Sequence, residues 1–218
     1  IKNIQKTFAY CYFDSPKADE IFKKLTSNKK INYSRYYYFH SNYLISKKKD
    51  NEAQEIIATG LDQFPKNLIL NQLKSDLQKK KIFSNKFDCK KNTDVIAEIF
   101  YIVSNVLAGQ NNYIASNFYL NLSKYLNPNF VSYDTLRAEN LFLIKEYEEA
   151  KDAYTLIKKK GVVYNWHASI QIASIFIKQD RKEKALNSLK KSFEKIVNPT
   201  IYEIFDYAEF LKNNEKYE

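Results

Sequence analysis

The sequence predicts an all-α fold, a solenoid of short antiparallel helix pairs, and three observations lead to this prediction. Alanines recur at a spacing of 35 residues that is broken only once. A bulky apolar residue follows each of these alanines by one helical turn. Strand patterns of period two and hairpin turns are absent from the sequence. The five alanines are Ala18, Ala53, Ala115, Ala150 and Ala185.

Bulky apolar residues flank the alanines at fixed offsets, as a pair of packed helices requires. An alanine lets two helix backbones approach closely, and its bulky neighbours fill the groove between them. A single pair cannot bury its apolar face alone, so each pair must stack on the next. Four residues after the alanines stand Phe22, Ile57, Tyr119, Tyr154 and Leu189, and nine residues before four of them stand Leu44, Val106, Leu141 and Phe176.

One stretch of the chain resembles a known repeat family. Tyr147-Glu148-Glu149-Ala150 followed by Tyr154 is similar to the turn and second helix of a tetratricopeptide repeat. The resemblance is to bacterial members with degenerate repeats, and it implies a right-handed superhelix whose concave groove binds a protein or peptide. Prolines that close the second helix in this family stand at Pro65, Pro128 and Pro199, and the small first-helix residue is Ser41, Ala138, Ala173 or Ala208, with Val103 in one unit.

The repeat is interrupted once. Ala53 and Ala115 are 62 residues apart, which is too short for two standard units and too long for one. Residues 67–79 space their leucines as a helix does, whereas residues 80–91 show no sustained period, so we expect a helix and then a loop or a short degenerate second helix. The predicted organisation is helix pairs over 1–66, an irregular helix plus loop over 67–93, and helix pairs over 94–218 with the last repeat truncated.

The chain begins at Ile1 and contains no methionine, which predicts a fragment of a longer protein. Its compartment, cytoplasmic or periplasmic, is therefore left open. No run of about 18 apolar residues occurs, so no transmembrane segment is expected within this window. Cys11 and Cys89 have no metal-binding spacing, and two cysteines so far apart neither demand nor exclude a disulfide. We expect two partly buried free thiols.

The net charge of +10 invites a nucleic-acid partner, because basic surfaces attract polyanions through counterion release. The cations are almost all lysine, whereas phosphate and base recognition favours the planar guanidinium of arginine. Arginine occurs only at Arg35, Arg137 and Arg181. A solvated structural role for the lysines is therefore favoured over binding of a polyanion.

A second resemblance supplies the alternative function. Residues 131–136, followed by Ala150, Ile157 and Gly161, are similar to a pentatricopeptide repeat, a family whose members bind single-stranded RNA with one base per repeat. Such a protein would use its basic surface to bind RNA. A base code requires a polar reader at the same position of every unit. The positions aligned with Asp134 are Tyr37, Ile99, Ser169 and Ile204, which are mostly apolar or aromatic.

The sequence predicts no enzyme, no cofactor and no metal. His40 and His167 are the only histidines, and neither belongs to a metal-ligand motif. No serine stands in a nucleophile elbow, and three isolated glycines cannot form a loop that cradles phosphates. We therefore predict a non-catalytic scaffold for protein–protein interaction.

The family resemblance also implies which residues line the concave groove, namely one face of each first helix. A partner segment would be held there by apolar anchors and hydrogen bonds. The clamp that some tetratricopeptide domains use for a C-terminal carboxylate is not reproduced, because the matching positions hold Tyr38 and Asn42. The predicted partner-binding residues are Arg35, Tyr38, Asn42, Phe100, Ser104, Thr135, Glu139, Phe142, His167, Ile170 and Ser174.

Overall fold

A computed structural model describes residues 2–27, 34–79, 83 and 85–214 of the chain. Within these residues it contains twelve α-helices and no strand, which confirms the all-α prediction. The helices are α1 (Lys2–Tyr12), α2 (Ala18–Thr26), α3 (Ser34–Ser46), α4 (Asp50–Gln63), α5 (Leu68–Gln78), α6 (Asn92–Gly109), α7 (Tyr113–Leu126), α8 (Val131–Leu143), α9 (Tyr147–Ile157), α10 (Val162–Lys178), α11 (Lys182–Phe193) and α12 (Ile201–Asn213).

The chain divides into two compact units, Ile1–Tyr133 and Asp134–Glu218. In the first unit α3 packs against α4 and α6 packs against α7, while α2 and α5 also lie against α3. In the second unit α10 packs against both α9 and α11, and α12 follows α11. The division by repeat pattern into 1–66, 67–93 and 94–218 stays a prediction, and its last four residues lie outside the described part of the chain.

Five helix-to-helix turns share one backbone geometry, the Schellman motif. Each contains a residue with φ between 51° and 66° just after a helix ends. The next backbone N–H then donates to the carbonyl oxygen five residues earlier, as from Lys49 to Leu44 at 3.0 Å and from Glu146 to Leu141 at 3.0 Å. None of the left-handed residues is glycine, although glycine is the residue that this conformation favours. They are Asp14, Lys48, Asn111, Lys145 and Asp180.

These turns set the register of the second helix in each pair. In the last four of them, a small side chain with no exposed surface follows the left-handed residue by five positions. The backbone of the partner helix can approach closely only where such a side chain lies. The four residues are Ala53, Ser116, Ala150 and Ala185.

In α7 the buried small residue stands one position later than the alanine spacing predicts. Ser116 is fully buried, whereas Ala115 is only partly buried. One turn later Leu120, and not Tyr119, is fully buried, and Val106 is 52% exposed although an apolar contact was expected there. The long interval between repeats therefore holds one more residue than the alanine spacing suggests.

The irregular region contains the predicted helix, which is α5. Its N-cap is Asn67, whose side chain accepts a hydrogen bond from the backbone N–H of Leu70 at 3.1 Å. The residues from Asn85 to Lys91 form no helix. Residues 80–82 and 84, on which part of the predicted loop falls, lie outside the described part of the chain.

The two cysteines form a disulfide, so the expectation of free thiols was wrong. Cys11 in α1 and Cys89 lie with their Cα atoms 5.8 Å apart, a separation that suits a disulfide. They are 78 residues apart in sequence, and Phe87, two residues before Cys89, packs on Phe8 of α1 and Phe39 of α3.

One core cluster of the second unit is formed by α10, α11 and α12. Trp166 and Phe176 of α10, Leu189 of α11 and Phe210 of α12 are buried in one cluster. The ring of Phe193 stacks on that of Tyr207 at 4.4 Å between centroids, which joins α11 to α12. Aromatic contacts of this kind stabilise a fold beyond the area they bury.

Candidate functional site

On the first unit, the predicted groove face of α3 is covered by the chain itself. The hydroxyl of Tyr38 donates to the Asn85 carbonyl oxygen at 3.1 Å, and the Asn42 side-chain amide donates to the Phe87 carbonyl oxygen at 2.6 Å. The ring of Phe87 lies 4.5 Å from that of Phe39, between centroids. We call residues Asn85 to Cys89 the covering segment.

The covering segment is also bound from the side opposite α3. The backbone N–H of Lys86 donates to the Asn129 carbonyl oxygen at 3.1 Å, and the Asn127 side chain donates to the Lys86 carbonyl oxygen at 2.9 Å. The Asn85 side chain accepts from the backbone N–H of Val131 at 3.0 Å. An extended stretch with its backbone groups bonded on both sides and one aromatic anchor is held as a bound peptide would be.

Arg35 is paired inside the first unit. Its guanidinium donates to both carboxylate oxygens of Glu98, at 2.6 and 2.7 Å, and lies 3.8 Å from the centre of the Tyr101 ring. Burial opposes the charge on Arg35, but the Glu98 carboxylate raises the pKa of the guanidinium above its usual value. Because this bidentate pair engages both groups, Arg35 is not available to a partner's carboxylate in this arrangement.

The other predicted residues of the first unit are also largely enclosed. Tyr38 is 1% exposed, and Ser104 has no exposed surface and donates to the Phe100 carbonyl oxygen at 2.8 Å. Phe100 and Asn42 are partly exposed. Contact between a partner and Tyr38 would therefore require the covering segment to move.

In the second unit, an open cleft of about 320 Å³ lies between α10 and α12. This volume is at the small end of the range of roughly 300–1,000 Å³ that is typical of ligand sites. His167 and Ile170, both predicted from the sequence, lie in its wall. The cleft is lined by His167, Ile170, Gln171, Asp206, Glu209, Phe210 and Asn213.

Helical periodicity explains why these side chains face one another. The lining residues of each helix are spaced by three and four positions, and such positions form one stripe along a helix. On α12 the stripe runs from Asp206 to Asn213, and on α10 it runs from His167 through Gln171. Ser174, another predicted residue, continues the α10 stripe by one turn and is partly buried.

His167 is the most perturbed ionisable group in the cleft. Burial lowers the pKa of its imidazole to about 4, and the nearby Asp206 carboxylate offsets this only in part. The ring packs edge-on against Tyr154 at 6.1 Å between centroids. The Asp206 carboxylate also accepts a long hydrogen bond from the Trp166 indole N–H at 3.4 Å. At neutral pH the cleft thus contains an uncharged imidazole.

The predicted residues of α8 do not line this cleft. Thr135 and Phe142 are partly exposed, and the Phe142 ring lies 5.7 Å from that of Tyr147. Glu139 reaches the surface of α8, yet the surrounding protein desolvates its carboxyl group and raises its pKa. Glu139 acts electrostatically on Tyr154, the residue that packs on His167.

Four residues of α12 and one of α10 were missed by the sequence reasoning. A signal for one of them was present, since Glu209 follows the predicted residue Ser174 by 35 residues. The predicted groove positions were not continued into the last helix. The missed residues are Gln171, Asp206, Glu209, Phe210 and Asn213.

Neither a metal centre nor a membrane-spanning helix is found in the described part of the chain. Its residues include no group of three or more His, Cys, Asp or Glu side chains placed to hold a metal ion. None of the helices formed by these residues combines the length and apolar character needed to cross a membrane.

No protein-family profile and no curated protein sequence matches the chain. Solved structures do match it. MamA of MSR-1 is 12% identical over 88% of this chain and 91% of that one, with a TM-score of 0.39. MamA of AMB-1 is 12% identical over 94% and 93%, with a TM-score of 0.39. PilF of Pseudomonas aeruginosa is 16% identical over 97% and 96%, with a TM-score of 0.37.

The tetratricopeptide-like character of the chain rests on its own helix pairs. A Schellman turn followed by a fully buried small residue repeats every 34 or 35 residues outside the one long interval. A repeat of this length built from two antiparallel helices is typical of that family.

Proposed function

We propose that the protein is a non-catalytic interaction scaffold that holds a segment of a partner protein in the cleft between α10 and α12. The observation that carries this proposal is that the cleft brings two predicted groove residues, His167 and Ile170, beside the apolar Phe210 and the polar Asp206 and Glu209. A wall that mixes apolar anchors with hydrogen-bonding groups is what a site for a protein segment needs. The exposed faces of α8 and α10, with Thr135, Glu139, Phe142 and Ser174, extend the proposed surface.

The first unit takes part differently in this proposal. Its groove face already holds the covering segment, to which Tyr38 and Asn42 donate hydrogen bonds, while Arg35 pairs with Glu98 and Ser104 donates within α6. Phe100 is partly exposed and stays a proposed partner-binding residue of the first unit. The cleft of the second unit is the open counterpart of the covered face.

The chemistry of the cleft supports binding over catalysis. Its single imidazole, with a pKa of about 4, is a weak general base at neutral pH. None of the lining residues is a serine, threonine, cysteine or lysine that could serve as a nucleophile. The two charged lining residues are carboxylates, which repel phosphate groups, so the cleft does not favour RNA.

A displayed library of random peptides, selected for binding to the chain, tests the proposal. Ile170→Asn replaces an apolar side chain of the cleft by a polar one without changing the charge, and Leu156→Asn makes the same change at an apolar side chain of α9 that is 62% exposed. We expect selected peptides to bind Ile170→Asn at least about tenfold more weakly than the wild type, a loss of about 1.4 kcal/mol, and to bind Leu156→Asn normally.

Gln171→Arg is a second variant of the cleft, for use if the substitution at Ile170 prevents folding. Gln171 lies on the partly exposed wall and not in the core. Circular dichroism checks that all three variants keep their helical content. Selection of no peptide, or only of peptides that bind Ile170→Asn and Gln171→Arg like the wild type, would refute the proposed site.

A further inference from the structure

We propose that the segment held between α10 and α12 presents a basic side chain, lysine or arginine, next to an apolar one. This inference rests on the proposed function and names the chemistry of the partner. It follows from the charges on the wall, from the combination of apolar and charged groups in the cleft, and from the placement of the protein's own lysines.

The charge of the lining residues has one sign. Asp206 and Glu209 lie on the α12 side, and none of the seven lining residues is a lysine or arginine. His167 stays neutral at physiological pH and so does not cancel either carboxylate. A ligand that brings a positive charge is therefore complementary to the wall, whereas a negatively charged ligand is repelled.

The cleft wall combines a buried apolar residue with an exposed charged one. Phe210 is 8% exposed and the Glu209 side chain is exposed, while Ile170 and Asp206 are both half-buried. A lysine or arginine has the same combination, with an apolar stem that can be buried and a charged head that stays near water. Its stem can contact Ile170 and Phe210 while its head pairs with the carboxylates.

Aromatic surface in the cleft favours the same ligand. Phe210 lies in the wall, and a cation within about 6 Å of the face of an aromatic ring is attracted to it. A neutral polar side chain such as glutamine would gain neither this attraction nor the pairing with Asp206 and Glu209. The apolar neighbour of the basic residue would occupy the part of the cleft beside Ile170.

The excess of lysine over the whole chain does not oppose this partner. In the second unit lysines are frequent on α11, a second helix, where Lys182, Lys184, Lys190 and Lys191 lie. On α12 the charged residues are Glu203, Asp206, Glu209 and Lys212, so this helix is acidic. Salt screens charges beyond about 8 Å at physiological ionic strength, so carboxylates in the wall outweigh more distant lysines.

The test uses peptides selected on the wild-type chain, synthesised with acetylated and amidated ends, each paired with a copy in which Lys is replaced by Met or Arg by Gln. Binding is measured to the wild type, to Asp206→Asn with Glu209→Gln, and to the control Asp152→Asn with Glu149→Gln. The control removes two exposed carboxylates from α9, outside the cleft. The amide introduced by Asp206→Asn keeps an oxygen that can accept from the Trp166 indole N–H, so the fold is preserved.

We expect the selected peptides to be enriched in lysine or arginine beside an apolar residue. The cleft variant should bind them about tenfold more weakly, and the control variant should bind them as the wild type does. Raising the salt from about 50 mM to about 500 mM should weaken binding to the wild type more than to the cleft variant. The peptide copies with Met or Gln should bind the wild type about as weakly as the original peptides bind the cleft variant. They should bind the cleft variant no more weakly than the original peptides do.

Two results would overturn the inference, and they are distinguishable. Peptides that require Ile170 but contain no enriched basic residue, and that bind the cleft variant normally, would refute the basic partner and leave the proposed function standing. Absence of any peptide that depends on Ile170 would refute both. Glu209→Gln alone, at an exposed position, keeps the test valid if the double variant is unstable.

Discussion

The hydroxyl of Tyr38 donates a hydrogen bond to the carbonyl oxygen of Asn85 across a sequence separation of 47 residues. Both groups are buried, and the bond joins the middle of α3 to the covering segment. It is the point at which a residue predicted to contact a partner contacts the protein's own chain instead. The two units thus differ, one with its groove face covered and one with an open cleft.

Tyr38→Phe should destabilise the first unit by about 1–2 kcal/mol, because a buried carbonyl oxygen loses its donor. Urea denaturation monitored by circular dichroism measures the change. Tyr125→Phe is the matched control, since Tyr125 is 84% exposed and should change stability by less than about 0.5 kcal/mol. Equal stabilities of the two variants would show that the Tyr38 hydroxyl does not hold the covering segment.

Reduction of the Cys11–Cys89 disulfide should lower the free energy of unfolding by about 4–5 kcal/mol, because the bond closes a loop of 78 residues in the unfolded chain. Trypsin should then cleave faster after Lys86, Lys90 and Lys91, which lie in or beside the covering segment. The double variant Cys11→Ala with Cys89→Ala should behave like the reduced wild type whether or not reductant is present. Identical cleavage rates for oxidised and reduced chain would contradict this role of the disulfide.

Two glycines in helices should respond oppositely to alanine. At Gly60 of α4, an added Cβ would lie 2.9 Å from side-chain atoms of Tyr37 and of Leu70. Gly60→Ala should therefore destabilise the chain by about 1–2 kcal/mol in spite of the better helix propensity of alanine.

At Gly109, the last residue of α6, nothing lies within 4 Å of the added Cβ. Gly109→Ala should therefore stabilise the chain by about 0.5 kcal/mol, as expected for a helical site without crowding. Denaturant midpoints of both variants, compared with the wild type, check the pair. A stabilising Gly60→Ala would mean that α4 does not pack closely on Tyr37 and Leu70.

His167 should make the chain less stable in acid. Its pKa is about 4 in the folded protein and about 6.5 in an unfolded chain, so the unfolded form binds more protons between these values. The stability that neutral His167 contributes is complete above about pH 6.5 and is lost as the pH falls towards about 4, by roughly 2–3 kcal/mol.

The free energy of unfolding of wild type and His167→Gln, measured side by side from about pH 7 to about pH 4, isolates this contribution. His40 is present in both proteins, so its own titration cancels in the difference. The wild type should lose stability relative to the variant as the pH falls. Parallel curves would show that the His167 imidazole is not desolvated in the cleft.

The repeated parts of the fold were predictable because the same pattern of small and bulky residues occurs in several repeats. Ala53, Ala150 and Ala185 were assigned correctly to helix contacts, and each is fully buried. In α7, Ala115 and Ser116 are both small, so composition could not decide between them. The position of the Schellman turn at Asn111 places Ser116, not Ala115, in the helix contact. A left-handed residue that is not glycine is difficult to predict from one sequence.

The covering segment and the disulfide could not be predicted for a different reason. They depend on contacts between residues that no repeat relates, such as Phe87 with Phe39 and Cys11 with Cys89. Two of the seven residues that line the proposed cleft, His167 and Ile170, were predicted. Glu209 was missed because the groove positions were not continued into the last helix, whereas Asp206 stands 35 residues after Gln171, which was itself not predicted.

Nuclear magnetic resonance of the isoleucine methyl groups, recorded while a selected peptide is added, tests the central claim most directly. Ile170 lines the cleft, whereas Ile57 and Ile69 are buried in the first unit and serve as internal controls. The proposal predicts that the Ile170 methyl and the His167 ring shift with the same apparent affinity while Ile57 and Ile69 stay unchanged. Shifts at Ile57 or Ile69 without a shift at Ile170 would contradict it and place the partner elsewhere.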